Sequence, residues 1–274
     1  MLMSPLLIAL ILGVVEGITE FLPVSSTGHL IVAGSLLGFI GERAATFEIV
    51  IQVGAILAVV WHYRTVLIDL VARFFTADTE RRLGLNLVYA FVPAALVGLG
   101  LHHWIKAHLF TPVVVACAFI IGGAVILLLE WRRPKVTTET INTIAPQQAW
   151  LVGCAQVLAL IPGTSRSAAT ILGGYAFGLS RPAATEFSFL LAIPTLFAAA
   201  LFDGYKSRAL FSAADLPMFA VGIAVSFVAA LLVIRGFLRY VQRHTFVVFA
   251  WYRILFGLLL LALAASGVLH LDAG

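Results

Sequence analysis

Six stretches of this chain are apolar over many consecutive residues, without polar alternation: Phe47 to Tyr63, Leu83 to Leu101, Val113 to Glu130, Phe187 to Phe202, Leu216 to Arg235 and Phe246 to Ser266. Runs of this length, rich in Leu and Ala, predict helices able to cross a bilayer, and they lack the short alternating segments of a membrane β-barrel. Two further regions, Pro5 to Phe39 and Trp150 to Phe177, are as apolar but are broken by polar runs containing proline, Pro23-Val-Ser-Ser-Thr-Gly-His29 and Pro162-Gly-Thr-Ser-Arg-Ser167. Each half is roughly 15 to 18 residues, short for a full span. Polar, non-helical backbone is tolerated at membrane depth only inside protein or along a wet cavity, so each region is expected to be a re-entrant helical hairpin.

The two broken regions resemble each other. Setting Pro23 against Pro162 puts Ser25-Ser26-Thr27 opposite Thr164-Ser165-Arg166 and brings Gly13 near Gly153 with a one-residue slip. Each region is followed by a Phe-rich span, starting at Phe47 or Phe187. Three crossings lie between them, and an odd number turns the second copy over. The expected architecture is therefore all-α and polytopic, one membrane domain over residues 1–274, with inverted repeats over 1–130 and 148–268 whose polar tips meet near midplane. Loop charges agree. One side collects Arg64, Arg73, Arg81, Arg82, Arg132, Arg133, Lys135, Arg181, Arg235, Arg239 and Arg243, the other Arg43, Lys106, Lys206 and Arg208, which puts both termini outside the cytoplasm.

Composition strengthens the membrane reading: 62% of the 274 residues are hydrophobic and 11% charged, and the mean hydropathy is +1.07. The N-terminus lacks a basic n-region and a cleavage site and is expected to be retained. Cys117 and Cys154 lie in apolar stretches and are expected to be buried packing residues, not a disulfide or zinc site. A net charge of +4 with no basic patch among aromatics gives no sign of nucleic-acid binding.

Against that apolar background Glu16 and Glu20 stand out, one helical turn apart in the first apolar segment. Carboxylates inside a membrane mark a functional site by default. The first tip adds Ser25, Ser26, Thr27 and His29 at a helix start, where hydroxyls and free N–H groups suit an anion. The second tip adds Thr164, Ser165, Arg166 and Ser167. Arg166 can grip phosphate in a planar, two-pronged fashion or pair with Glu16 or Glu20 to hold the hairpins together. Two carboxylates can hold a divalent cation through oxygen, and a serine one turn from a histidine can attack phosphorus. The set reads as phosphoryl chemistry, with either Ser26 or His29 as nucleophile. Inverted repeats with broken helices are also the architecture of transporters, so a transporter or flippase of a phosphorylated lipid is the rival reading, and an assembly factor without chemistry a third. Other polar groups carry less. Glu48 and Gln52 share a helix face, Glu186 resembles them, and Arg253 sits inside the last span, where it can pair with an acid or snorkel. His62, His102, His103, His108, His244 and His270 fall at segment ends or in loops.

Glu16-Gly-Ile-Thr-Glu20-Phe-Leu-Pro-Val-Ser-Ser-Thr-Gly-His29 and Pro162-Gly-Thr-Ser-Arg-Ser167, with Phe47-Glu48-Ile-Val-Ile-Gln52 and Glu186-Phe-Ser-Phe-Leu-Leu-Ala192, resemble the signatures of the undecaprenyl-diphosphate phosphatases of the bacitracin-resistance type. The resemblance runs nearly end to end. It implies a bacterial inner-membrane enzyme, open to the periplasm and often dimeric, that removes the terminal phosphate of a C55 isoprenoid diphosphate and returns the carrier lipid to cell-wall synthesis. By the same resemblance Glu16 and Glu20 are tied to Mg²⁺ or Ca²⁺, Ser26 is the nucleophile, His29 the acid/base and Arg166 the phosphate ligand, with Ser25, Thr27, Ser165 and Ser167 lining the pocket. One departure is Ala168, where the family usually has Gly.

Overall fold

The computed structural model describes residues 3–206 and 213–266, without the side chains of 102, 103, 106 and 213. Arg208 and His270 lie outside the described residues, as do the side chains of His102, His103 and Lys106. The described residues form helices and loops, with one isolated bridge joining Thr138 to Leu179. All six expected spans are present: α3 (Glu42–His62), α5 (Asp78–Leu109), α6 (Pro112–Arg132), α9 (Arg181–Lys206), α10 (Leu216–Val241) and α11 (Val247–Ala265). They extend past the apolar runs because Arg, Asp and Lys can prolong a helix beyond the hydrocarbon.

Each broken region is a pair of short helices. The first is α1 (Pro5–Thr19) with α2 (Ser26–Leu37), and the second α7 (Pro146–Gln156) with α8 (Arg166–Ala176), a short 3₁₀ turn at Val157–Leu160 following α7. The helix starts obey local chemistry. Ser4 accepts from the Leu7 N–H with Pro5 behind it, and Thr111 accepts from Val114 N–H ahead of Pro112. One element was not expected: α4 (Arg64–Arg73) has no buried residue and displays Ile68 and Val71 outward.

Within each pair the two helices pack on each other, but the larger contacts cross between halves of the chain. α1 and α3 both pack on α10, α7 packs on α5, α3 on α9, and α6 on α11. Glycine permits the closest of these. A Cβ on Gly13 would come within 2.8 Å of the Gly222 carbonyl, and one on Gly153 within 2.6 Å of the Ala90 carbonyl, so α1 meets α10, and α7 meets α5, backbone to backbone. The outer surface is as apolar as the interior, with Leu36, Leu96, Trp131 and Leu232 exposed, as lipid solvation requires. Cys117 and Cys154 belong to that surface. Both are exposed, which corrects the expectation of burial: an apolar residue on a membrane helix is as stable against lipid as against protein.

Candidate active site

Both helix breaks end in the same local geometry. Ser25 and Ser165 occupy the positions before α2 and α8 with φ of 69° and 73°, the left-handed region that few non-glycine residues adopt. The other described non-glycine residue with positive φ, Arg133, closes α6 away from the tips. The paired serines correct the alignment of the halves. With Ser25 set against Ser165, Ser26 matches Arg166 and Thr27 matches Ser167, while Gly13 and Gly153, and Phe47 and Phe187, fall into register and the one-residue slip disappears. The shared prolines misled because the second break carries Gly163 after its proline.

The tips meet. Ser26 Oγ donates to Glu20 Oε2 at 2.7 Å, and Glu20 Oε1 accepts from Nε and Nη2 of Arg166, each at 3.3 Å. The ion pair is enclosed, with side chains 9% and 5% exposed for Arg166 and Glu20. Arg166 Nη1 donates to the Ser188 carbonyl, and its guanidinium lies 5.8 Å from the Phe21 ring centre. Ser167 Oγ donates to the Leu22 carbonyl at 2.7 Å, tying the second tip to the first, and Ser165 and Ser167 share a hydrogen bond at 3.0 Å. Of the two pairings open to Arg166, the structure makes the one with Glu20. Ser25 and Ser26 are buried, and Thr27 and Thr164 half-buried beside them. Ala168 gives its N–H to Ser165 Oγ and buries its methyl, so the departure from glycine leaves the helix cap intact.

Glu16 differs. It is wholly buried, and neither of its carboxylate oxygens has a hydrogen-bond partner. Glu20, Glu48 and Arg166 are its charged neighbours. The matching residue of the second half, Gln156, is satisfied, donating to the Ala90 carbonyl and accepting from Thr195. Among the described residues no three His, Cys, Asp or Glu side chains gather into a metal cage, so a cation here would take its remaining oxygens from water and ligand.

His29 points away from Ser26. Its Nδ1–H donates to the Ser25 carbonyl at 2.7 Å, which leaves Nε2 to accept from the Tyr252 hydroxyl at 2.5 Å. The ring stacks on Phe256 and Tyr252 at 4.3 and 5.6 Å between centroids. One turn of sequence separation had suggested a Ser26 contact, but each side chain is held by another partner, Ser26 by Glu20 and His29 by the Ser25 carbonyl and Tyr252. Sequence reasoning missed Tyr252, Thr170 and Ser188. Thr170, one turn after Arg166, shares a 2.6 Å hydrogen bond with Ser188, and spacing from Arg166 could have found it. Arg253 neither pairs with an acid nor snorkels; it donates to backbone carbonyls.

A hydroxyl bonded to a carboxylate, a guanidinium on the same carboxylate and an orphan acid beside them form a compact polar centre in an apolar bundle, and known proteins resemble the chain along nearly its whole length. The undecaprenyl-diphosphatase 2 of Rhodospirillum rubrum is 56% identical over 266 residues, 97% of each chain. The undecaprenyl-diphosphatases of Dechloromonas aromatica and Nitrosomonas europaea are 55% and 54% identical, covering 95% and 96% of this chain and 96% of each relative. Residues 9–259, which contain both breaks and five of the spans in full, match the family described as bacitracin resistance protein BacA, and the chain belongs to that family.

Proposed function

We propose that this multi-pass membrane protein is a hydrolase that converts undecaprenyl diphosphate to the monophosphate and inorganic phosphate, acting at the outer face of the bacterial inner membrane. The observation that carries the reading is the Ser26 hydroxyl bonded to Glu20, with Arg166 on the other oxygen of the same carboxylate. Nucleophile, proton acceptor and anion ligand are thereby contiguous. In the proposed reaction the terminal phosphate displaces Glu20 from Arg166. Ser26 Oγ bonds to the terminal phosphorus, its proton passes to Glu20 Oε2, and the anhydride bond breaks to release the lipid monophosphate. Glu20 gives that proton to the leaving lipid monophosphate, then takes one from the water that cleaves the phosphoserine and returns it to Ser26 Oγ as phosphate leaves.

Free N–H groups at the start of α2, where Ser25 makes no side-chain cap, complement the phosphate oxygens. Glu16, with two unpartnered buried oxygens, fits a role in holding Mg²⁺ or Ca²⁺ together with Glu20. Such an ion would supply charge neutralisation at the phosphates. His29, turned toward Tyr252 and Phe256, fits a role in orienting the Ser25 turn through its bond to the Ser25 carbonyl. The inverted repeat, with each hairpin entering and returning on one side, is supported by the crossed packing of α1 on α10 and α7 on α5 and by the paired serine turns. That architecture also suits a transporter, but a transporter needs no serine bonded to a carboxylate.

Phosphate release from undecaprenyl diphosphate by the purified protein tests the reading. Ser26→Ala and Arg166→Ala should each abolish release while leaving the helical signal intact, Arg166→Ala with a lowered unfolding midpoint because it strands the buried Glu20; full turnover by both would sink the assignment. A chelator should suppress the native enzyme, and Glu16→Gln should lose its response to added Mg²⁺.

A further inference from the structure

Arg253 is a large side chain with no exposed surface, lying in the last span without an acidic hydrogen-bond partner. Its guanidinium is satisfied by backbone alone. Nη2 donates to the Ala118 carbonyl at 2.9 Å and to Gly163 at 3.1 Å, Nη1 to Pro23 at 3.2 Å, and Nε to Phe119 at 3.3 Å. The Phe119 ring lies 5.2 Å from Cζ. Two of these four acceptors are special. Pro23 and Gly163 each lie two residues before a positive-φ serine, so Arg253 holds matching carbonyls at the two helix breaks.

A helix break frees carbonyls that no intrahelical N–H can reach, and in an apolar bundle each such group needs a donor. One guanidinium serves both breaks, because its planar fan of five N–H groups can reach several acceptors at fixed angles. Its seat is shaped for it: a Cβ on Gly122 would lie 2.2 Å from Nη2.

We propose that Arg253 is a positioning residue that fixes the Ser25–Ser26 turn against the Ser165–Arg166 turn, setting the register of nucleophile to phosphate ligand without touching the substrate. The proposal rests on the phosphatase reading above. It assigns α11 a part in catalysis that is exerted wholly through main-chain carbonyls.

The test is phosphate release from undecaprenyl diphosphate by purified Arg253→Lys, Gly122→Ala and Ser26→Ala, each with its unfolding midpoint. Lysine keeps the charge but cannot span both breaks, and the Gly122 methyl displaces the guanidinium while leaving Arg253 and every tip residue in place. Since a misplacement of about 1 Å can cost a hundredfold, kcat of R253K and G122A should fall by about 100-fold. KM should stay within about threefold, the pattern of lost transition-state alignment. Overpacking should lower the unfolding midpoint by about 2–12 °C while leaving both variants folded at the assay temperature. Turnover of either variant near the native value overturns the proposal, as does a loss of kcat that tracks falling thermal stability or rising KM. If R253K does not fold, G122A decides alone. Inactive S26A beside fully active R253K and G122A removes the positioning role and leaves the phosphatase site standing, whereas fully active S26A removes both.

Discussion

At the scale of single residues, the proposed reaction gives Glu20 the proton-accepting role that the resemblance implies for His29. Ser26 Oγ donates its hydrogen bond to Glu20, and His29 has both ring nitrogens engaged elsewhere. Glu20→Gln should therefore lower kcat by about 10²–10⁴, the range for loss of a general base. His29→Gln should keep at least ten times the turnover of Glu20→Gln at about equal expression. A His29 variant as inactive as the Glu20 variant would reassign the base. The residue types were legible because Glu, His and Arg are costly in lipid and conspicuous there. Their pairing was not, because a turn with positive φ rotates each side chain relative to an ideal helix, and spacing assumes the ideal.

Among the elements, sequence disclosed the spans and both breaks but not which helix would lie against which. Hydrophobicity marks a helix as membrane-borne and then falls silent, since lipid and protein are equally apolar neighbours. The partners are chosen by small residues. A Cβ on Gly17 would lie 2.5 Å from the Ser226 carbonyl of α10, so Gly17→Ala should force α1 away and cost about 1–3 kcal/mol by overpacking. Denaturant unfolding in detergent would measure it. A second joint is polar. Glu130 of α6 accepts from Arg181 of α9 and from the Phe246 N–H ahead of α11, at 2.9 Å for the Arg181 Nε and Phe246 N contacts. Glu130→Ala leaves Arg181, 26% exposed, without its carboxylate. The expected cost is about 2–3 kcal/mol, below the fully buried value because water reaches the arginine.

For the whole molecule, the halves pack as a crossed pair, each broken region docking on a span of the other half. The largest buried cluster draws side chains from both halves, and folding must bring residues more than a hundred positions apart together before Arg166 meets Glu20. Loop charge adds the sidedness. With Cys117 and Cys154 replaced by Ala, a cysteine at Thr111 should react with an impermeant maleimide added outside intact cells, and one at Thr76 only after lysis. The reverse pattern would invert the topology. Arginine asymmetry, a property of loops, can be read from sequence and predicts the sidedness; the crossed packing, a property of contacts, needed coordinates.

The Glu20–Arg166 pair has a consequence for the end of the catalytic cycle. An unaccompanied guanidinium within a membrane would hold any phosphate that reached it, and the enzyme would stall on its own product. Glu20 is a competitor for that guanidinium, anchored beside it and always at the same effective concentration. In the proposed cycle Glu20 replaces each departing phosphate on Arg166. Neutralising the competitor should convert a fast-releasing site into a trap: inorganic phosphate should inhibit the residual turnover of Glu20→Gln at lower concentration than it inhibits the native enzyme.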